Sequence, residues 1–235
     1  MNLATQPLGR RPRPVHLTIR ISVEAIRKSL LVCGVLSSLV YLALCVFAPL
    51  LWEGYNSRSQ AVSELGAIGA PSRPLVTLLG TLYEILVIAF GVGVWASSFR
   101  NRALRVVGGL LMAYGVIGFA APFSSMHMRG VSATHTDIMH IALTVVTVVL
   151  MFLILAYGSA SLGGKFYWYT MATVVVLVLF GIWAGLDGPR LAENLPTPWL
   201  GLAERINIGS FLLWIIVLAF QLWTQLYSRI EHENA

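Results

Sequence analysis

Six long runs of apolar residues alternate with shorter polar segments along the chain. The runs cover residues 29–51, 75–99, 103–122, 138–157, 166–185 and 207–227. A helix needs about 20 mostly apolar residues to cross a hydrocarbon core roughly 30 Å thick. Continuous runs such as TVVVLVLFGIW lack the alternation of barrel strands, and within lipid only helices and closed barrels satisfy their backbone polar groups. The pattern therefore predicts an all-α, polytopic transmembrane helix bundle of about six spans.

The composition excludes a soluble domain. Of the 235 residues, 57% are hydrophobic and 11% are charged, whereas roughly 25% of the residues in soluble domains are charged. The two cysteines, Cys33 and Cys45, lie on the first span about 18 Å apart by helical rise, which is too far for a disulfide. The first apolar run is longer than the roughly 7–15 residues of a signal-peptide core, so we expect it to remain as an anchor.

We divide the chain into a cytoplasmic basic arm (residues 1–28), a six-span membrane domain (29–228) and a cytoplasmic tail (229–235). Residues 1–14 contain three prolines and many arginines and few groups that could form a core. Residues 15–28 alternate apolar and polar positions, which fits neither a clean helix nor an unpaired strand. No element is assigned to that stretch.

The basic residues predict the orientation of the spans. Eleven fall on the side of the termini and five on the opposite side. The eleven are Arg10, Arg11, Arg13, Arg20, Arg27, Lys28, Arg100, Arg102, Arg105, Lys165 and Arg229; the five are Arg58, Arg73, Arg129, Arg190 and Arg205. Because basic loops stay in the cytoplasm, we expect both termini there and the chain in a bacterial inner (cell) membrane. The net charge of +6 also favours anionic lipid at the cytoplasmic face over nucleic acid.

The connections on the two sides differ in length. The outer segments 52–74, 123–137 and 186–206 are long and carry two of the five histidines and most acidic residues, whereas the inner ones are minimal. Functional groups concentrate on loops held by a rigid scaffold, so we expect a polar pocket that opens to the outer face. The glycines of spans two and three predict close helix packing. They are Gly91, Gly93, Gly108, Gly109, Gly115 and Gly118.

Glu84 is the deepest charged residue in the predicted spans. It lies nine positions into the second span, about 13 Å below the surface. A carboxylate at that depth costs about 2.5–3.5 kcal/mol, so we expect Glu84 to face the bundle interior. Two interpretations remain open: a neutral side chain hydrogen-bonded to a neighbouring helix, or a proton, metal or substrate site.

A cluster of histidines and one acid lies at the mouth of spans three and four. It comprises His127, His135, Asp137 and His140, all of which are residue types that bind transition metals. Asp137 and His140 are three positions apart and so share a helix face. One hypothesis makes Glu84, Asp137 and His140 a catalytic set converging on one cavity, with a divalent metal as the possible cofactor. The alternative is that Asp137 caps the fourth helix and His140 bonds within the bundle.

The first outer loop offers weaker signals. It predicts a short helix near residues 58–65 capped by Ser57 or Ser59, and Ser63 with Glu64 would suit a hydrolytic site. Glu204 and Arg205, at the start of the sixth span, are interpreted as a structural ion pair or as an arginine that reaches the interface.

Three segments carry a family resemblance. They are SRSQAVSELGAIGAPSRP after the first span, His140 early in the fourth, and GLAERINIGSFLLWIIVLA in the last. Together they resemble the bacterial family called domain of unknown function 998 over roughly residues 30–228. The resemblance implies a six-span fold and a membrane location and implies no activity.

Three functions are compatible with the sequence. The first is an integral membrane protein whose outer polar pocket binds a small molecule, a lipid or a proton. The second is a metal-dependent membrane lipid hydrolase, and the third is a structural partner of an envelope assembly. No inverted repeat and no proline-broken span points to a transporter. The oligomeric state is left open.

A reporter fused after Ala235 is expected to be active only in the cytoplasm, because the basic residues should retain the termini there. A reporter that works only in the periplasm provides the matched measurement. If that second reporter were the active one, one of the six spans would be miscounted, and the glycine-containing run 103–122 would be the first to re-examine.

Overall fold

A computed structural model describes the backbone of residues 15–234 and the side chains of residues 23–226. Its helices are α1 (Val15–Phe47), α2 (Arg73–Ser97), α3 (Arg102–Gly118), α4 (His135–Leu162), α5 (Gly164–Ala192) and α6 (Leu200–Asn234). All six contain a segment long and apolar enough to cross a membrane. The predicted all-α six-span bundle is confirmed, and the chain is a multi-pass membrane protein. The arm at residues 1–14 lies outside the described residues.

Three helices are longer than their apolar runs. The α1 helix begins at Val15, so residues 15–28, to which no element was assigned, are helical. The α5 helix extends to Ala192 with Pro189 inside it, and α6 begins at Leu200, seven residues before the predicted span. Once the apolar run has formed a helix, each added residue gains a backbone hydrogen bond, so the helix continues into polar sequence. Residues 15–28 and 228–234 are helical extensions beyond the apolar runs of α1 and α6.

Each helix packs against the next one along the chain, and α6 closes the ring against α1. Since six spans alternate in direction, the connections gather at two ends. We call the end formed by segments 48–72, 119–134 and 193–199 the long-loop end, and the end formed by 98–101 and 163 the short-loop end. The main core lies toward the short-loop end. Its fully buried side chains include Phe90, Leu111, Ile154, Trp214 and Ile215.

Helices α2 and α3 approach each other at glycines, as predicted. A Cβ atom at Gly108 would lie 2.6 Å from the backbone nitrogen of Trp95 and 2.8 Å from the carbonyl oxygen of Gly91. Real Cβ atoms do not approach backbone so closely, so only glycine permits this separation of the two helices. The pair forms a rigid wall of the bundle.

The first loop of the long-loop end rests on the start of α6. The backbone nitrogen of Leu202 donates to the carbonyl of Arg58 at 3.0 Å, and the hydroxyl of Thr197 donates to the carbonyl of Ser59 at 2.8 Å. Gly201 makes this approach possible, because a Cβ there would lie 2.5 Å from the carbonyl oxygen of Ser57. The loop thereby supplies partners to backbone donors that the first turn of α6 leaves unsatisfied.

Helices α4 and α5 bury side chains only toward the short-loop end. The buried residues are Met151, Ile154, Leu155, Gly158 and Ser159 on α4, and Phe166, Thr170, Thr173 and Leu177 on α5. At helical spacing the same inward row continues to Leu143 and Thr147 on α4 and to Gly181 and Ala184 on α5, and all four are only half-buried. The inward rows of the two helices are thus less buried in the half of the bundle nearest the long loops than near the short loops. We call the region between these less buried rows the α4–α5 cleft.

Replacing Gly201 with Val is expected to destabilise the protein by about 1–3 kcal/mol, the usual cost of overpacking. The added side chain would collide with the carbonyls of the first loop. Gly209→Ala is the matched control on the same helix, because a Cβ at Gly209 meets no atom within 4 Å. Chemical unfolding in detergent micelles measures both variants. Equal stability of Gly201→Val and the wild type would show that the loop does not rest on α6 as described.

Candidate functional site

A buried carboxylate organises the long-loop end. Glu64 lies in a short 3-10 helix, Ser63–Gly66, and is 1% exposed. Its two oxygens accept hydrogen bonds from the guanidinium of Arg129 at 2.7 and 2.8 Å and from the backbone nitrogen of Ala61 at 2.7 Å. Arg129 also donates to the carbonyl of Ser59 at 2.9 Å. Because the carboxylate is held by Arg129 and by backbone, the geometry gives no support to Glu64 as a base for Ser63.

Glu204 and Arg205 fix the first loop to α6. The carboxylate of Glu204 accepts a short hydrogen bond from the backbone nitrogen of Val62. The guanidinium of Arg205 donates to the carbonyl of Ser57 at 2.6 Å and to the phenol oxygen of Tyr55 at 3.0 Å. Both side chains therefore bind the loop, and their role is structural.

Tyr55 completes this anchor as a neutral phenol. Its hydroxyl donates to the carbonyl of Ala61 at 2.7 Å. Burial raises the pKa of Tyr55 to about 12, and the hydrogen bond from Arg205 only partly opposes that rise. The phenol stays protonated at physiological pH and remains a donor to the loop carbonyl.

His127 and Asp137 form a half-buried pair at the start of α4. The Nδ1 atom of His127 lies 2.9 Å from the carboxylate of Asp137, and the side chains are 24% and 17% exposed. Asp137 also accepts from the backbone nitrogens of His127 and Thr134 at 2.8 Å, and with Thr134 it forms a capping box. The alternative that Asp137 caps the fourth helix is confirmed. A carboxylate only accepts, so Nδ1 carries a proton, and in the neutral ring Nε2 then has the lone pair.

His140 is oriented in the same way by a different acceptor. Its Nδ1 atom lies 3.1 Å from the carbonyl oxygen of Ser124. This bond confirms that His140 bonds within the bundle, and it again leaves Nε2 with a lone pair. His140 lies on the same helical row of α4 as Leu143 and Thr147 and is half-buried.

The predicted metal ligands are not brought together as a set. His127 and Asp137 are in contact, whereas His135 is an exposed residue at the first position of α4. Across the residues that the structure describes, no three His, Cys, Asp or Glu side chains are grouped to hold a metal ion. A metal role for His127, His135, Asp137 and His140 stays a prediction.

Glu84 lies apart from the other predicted catalytic residues. Its carboxylate packs against Gly118 of α3, and its Oε2 atom is buried without a hydrogen-bond partner. Helix α3 packs between α2 and α4, and Glu84 makes no hydrogen bond with Asp137 or His140. This contact is consistent with the expectation that Glu84 faces the bundle interior, whereas the interpretation of a hydrogen bond to a neighbouring helix finds no partner at Oε2 among the described residues. Its convergence with Asp137 and His140 on one cavity finds no contact to support it.

Sequence reasoning missed Arg129 and Arg205 as anchors of the first loop. Arg129 had been counted only as a basic residue of the outer side, and Arg205 had been interpreted as a partner of Glu204 or as an arginine that reaches the interface. Arg129 is 65 positions from Glu64, and no local pattern links residues at that distance. The one available signal was Glu64 itself, since an acid within an apolar segment needs a partner.

Comparison with known proteins identifies a family and no activity. The model of the family described as "Protein of unknown function (DUF998)" matches residues 35–221, which is well over half of the chain. No curated protein matches the chain, and no solved structure matches it.

Replacing Glu64 with Gln is expected to lower the free energy of unfolding by about 3–5 kcal/mol, because it leaves Arg129 without its counter-charge. The double variant Glu64→Gln/Arg129→Met should lose less than the two single losses together, since the pair is coupled. Arg190→Gln is the control, because Arg190 is 47% exposed and lies 4.0 Å from Asp187. Chemical unfolding in micelles measures all variants, and strict additivity would contradict a coupled pair.

Proposed function

The chain belongs to the DUF998 family of proteins of unknown function, and on that premise we propose that it binds an amphiphilic ligand, with an apolar tail in the α4–α5 cleft and a polar headgroup beside His127 and His140. The ligand class is a lipid or a small molecule with an apolar chain. We place this site at the outer face of a bacterial inner membrane, with both termini in the cytoplasm.

The proposal rests on one observation. The side chains in the inward rows of α4 and α5 are buried near the short-loop end and only half-buried near the long-loop end. Leu143, Thr147 and Ala184 continue rows that are fully buried further along the same helices. Apolar surface that faces the inside of a bundle and stays accessible is a favourable site for an apolar chain, because van der Waals packing drives association within the bilayer.

The arrangement of the loops favours entry of the ligand into the cleft from the membrane rather than from the water. The segment 119–134 crosses to α5, where the backbone nitrogen of Gly130 donates to the carbonyl of Leu191 at 3.1 Å. This contact ties the loop to the end of α5, above the cleft. A ligand that reaches the cleft between α4 and α5 therefore comes from the membrane, which favours an amphiphile over a water-soluble solute.

The polar end of the site is set by the two imidazoles. His127 and His140 each have Nδ1 held by an acceptor, which leaves Nε2 able to accept a hydrogen bond. A headgroup with hydroxyl or ammonium donors suits two such acceptors. Other charged groups of the long-loop end, Glu64, Arg129 and Arg205, are occupied by the loop network. Asp137 acts as a positioning residue for His127.

A metal-dependent lipid hydrolase is the second candidate. Imidazoles that bind a metal almost always donate their other nitrogen to a carboxylate or a backbone carbonyl, and His127 and His140 make those two bonds. The remaining ligands would come from water or substrate. Metal analysis of the purified protein tests this candidate, and a stoichiometric metal lost in His127→Ala and His140→Ala would favour it over simple binding.

Filling the cleft is expected to remove a bound amphiphile. In the variant Ala184→Trp the indole would occupy the inward row of α5, and retention of co-purifying lipid, counted by native mass spectrometry, should fall to near zero. Leu179→Trp is the matched control, because Leu179 is 60% exposed on the same helix and lies off the inward row.

His127→Ala tests the headgroup contact in the same assay. Loss of one hydrogen bond of about 1–1.5 kcal/mol lowers affinity by about tenfold. Equal retention in wild type, Ala184→Trp and Leu179→Trp would overturn the proposal, because it would place the lipid outside the cleft.

A further inference from the structure

A small cavity opens at the short-loop end, on the opposite side of the bundle from the proposed amphiphile site. Its volume is about 80 Å³, and it lies between the loop that joins α2 to α3 and the far part of α6. The lining includes Ser97, Ser98, Asn101 and Leu104 on one side and Leu222 and Leu226 on the other. One water molecule needs roughly 10–30 Å³, depending on the measure, so the cavity admits a group of several heavy atoms.

Ser97 lines this cavity and carries a buried hydroxyl. The residue is 6% exposed, and its Oγ atom has no hydrogen-bond partner among the described residues. At the corresponding end of α4, the hydroxyls of Ser159 and Ser161 donate hydrogen bonds to carbonyls of their own helix, both at 2.7 Å. A buried hydroxyl without a partner is unfavourable. Ser97 therefore keeps a donor available for a bound group.

The start of α3 makes the same place electropositive. Asn101 caps the helix by accepting from the backbone nitrogen of Leu104 at 3.0 Å, which fixes the helix N-terminus beside the cavity. Helix N-termini attract anions through their dipole and unpaired amides. Arg105 lies one turn further, where its guanidinium donates to the carbonyl of Phe99 at 2.8 Å and lies 3.4 Å from the hydroxyl of Ser98.

The protein surface around the cavity is also positively charged. The basic side chains described at this end are Arg27, Lys28, Arg100, Arg102, Arg105 and Lys165. Glu24 is the acidic side chain described there. An anion is therefore the ligand that this end of the bundle attracts, and the adjacent leaflet is where anionic lipids are found in contact with basic loops.

We propose that this cavity binds a phosphate group, and that the phosphate belongs to the headgroup of an anionic phospholipid in the adjacent leaflet. The Ser97 hydroxyl donates a hydrogen bond to a phosphate oxygen, and the N-terminus of α3 and Arg105 neutralise the charge. The acyl chains remain in the bilayer beside α2 and α6. The site is independent of the amphiphile proposed for the α4–α5 cleft.

The test uses the full chain in nanodiscs of phosphatidylcholine to which phosphatidylglycerol is added in steps, with bound phosphatidylglycerol counted by native mass spectrometry. Ser97→Ala is expected to lower the affinity by about tenfold, because it removes one charge-assisted hydrogen bond. Ser97→Thr keeps the hydroxyl and should retain most of the affinity. Arg105→Gln should weaken binding, whereas Lys165→Gln removes the same charge from the start of α5 and should not.

The controls distinguish binding in this cavity from a general effect of substituting a serine or of adding an anionic lipid. Ser29→Ala is the matched serine control, because the Ser29 hydroxyl bonds to the carbonyl of Ala25 within its own helix. Equal affinities of Ser97→Ala and the wild type would overturn the site. Inorganic phosphate alone distinguishes the source: if it stabilised the wild type as strongly as phosphatidylglycerol and Ser97→Ala abolished that effect, the lipid assignment would be overturned in favour of free phosphate.

Discussion

The long-loop end depends on one carboxylate that has been removed from water. Glu64 is charged, buried and far from its partner in sequence, and its desolvation is offset by the bidentate contact with Arg129 and by a backbone amide. This contact joins the first loop to the second. Glu204 and Arg205 then join the first loop to α6. That chain of contacts, together with the bonds of Gly130 to Leu191 and of His140 to Ser124, holds the segment that carries His127.

The Glu64 network and the two imidazoles, His127 and His140, differ in how many of their polar atoms are already hydrogen-bonded within the protein. At the Glu64 centre every strong donor and acceptor is satisfied within the protein, which is the arrangement expected of a rigid scaffold. At His127 and His140 one ring nitrogen is held and the other is left with a lone pair. Rigid positioning with one unused nitrogen is the condition that binding sites require, because a ligand then meets groups that need no rearrangement.

The sequence predicted what depends on short distances along the chain. Span length follows from the bilayer, and the close approach of α2 and α3 follows from their glycines. The cap at Asp137 follows from the position of this acid just before the fourth apolar run. The Glu64–Arg129 pair could not be predicted, because it depends on how two loops fold over the bundle. The start of α1 was missed since an alternating pattern carries no helical period, although a helix already formed by the span extends through it.

The α4–α5 cleft was hidden for a different reason. Leu143, Thr147 and Ala184 occupy the same periodic row as residues of the core, and a periodic pattern gives the direction of a side chain without saying whether a neighbour covers it. Apolar inward residues are typical of a packed interior and equally of a cavity lined for an apolar ligand. Only the positions of the neighbouring helices distinguish these two cases.

Helices α1 and α6 both extend beyond their apolar runs on the same side of the bundle. The α1 helix begins 14 residues before residue 29 and α6 ends seven residues after residue 227, and the two helices pack against each other. The opposite end of α6 carries Glu204 and Arg205, which hold the first loop. One continuous helix therefore links the terminal extension on one side of the bundle to the loop network on the other.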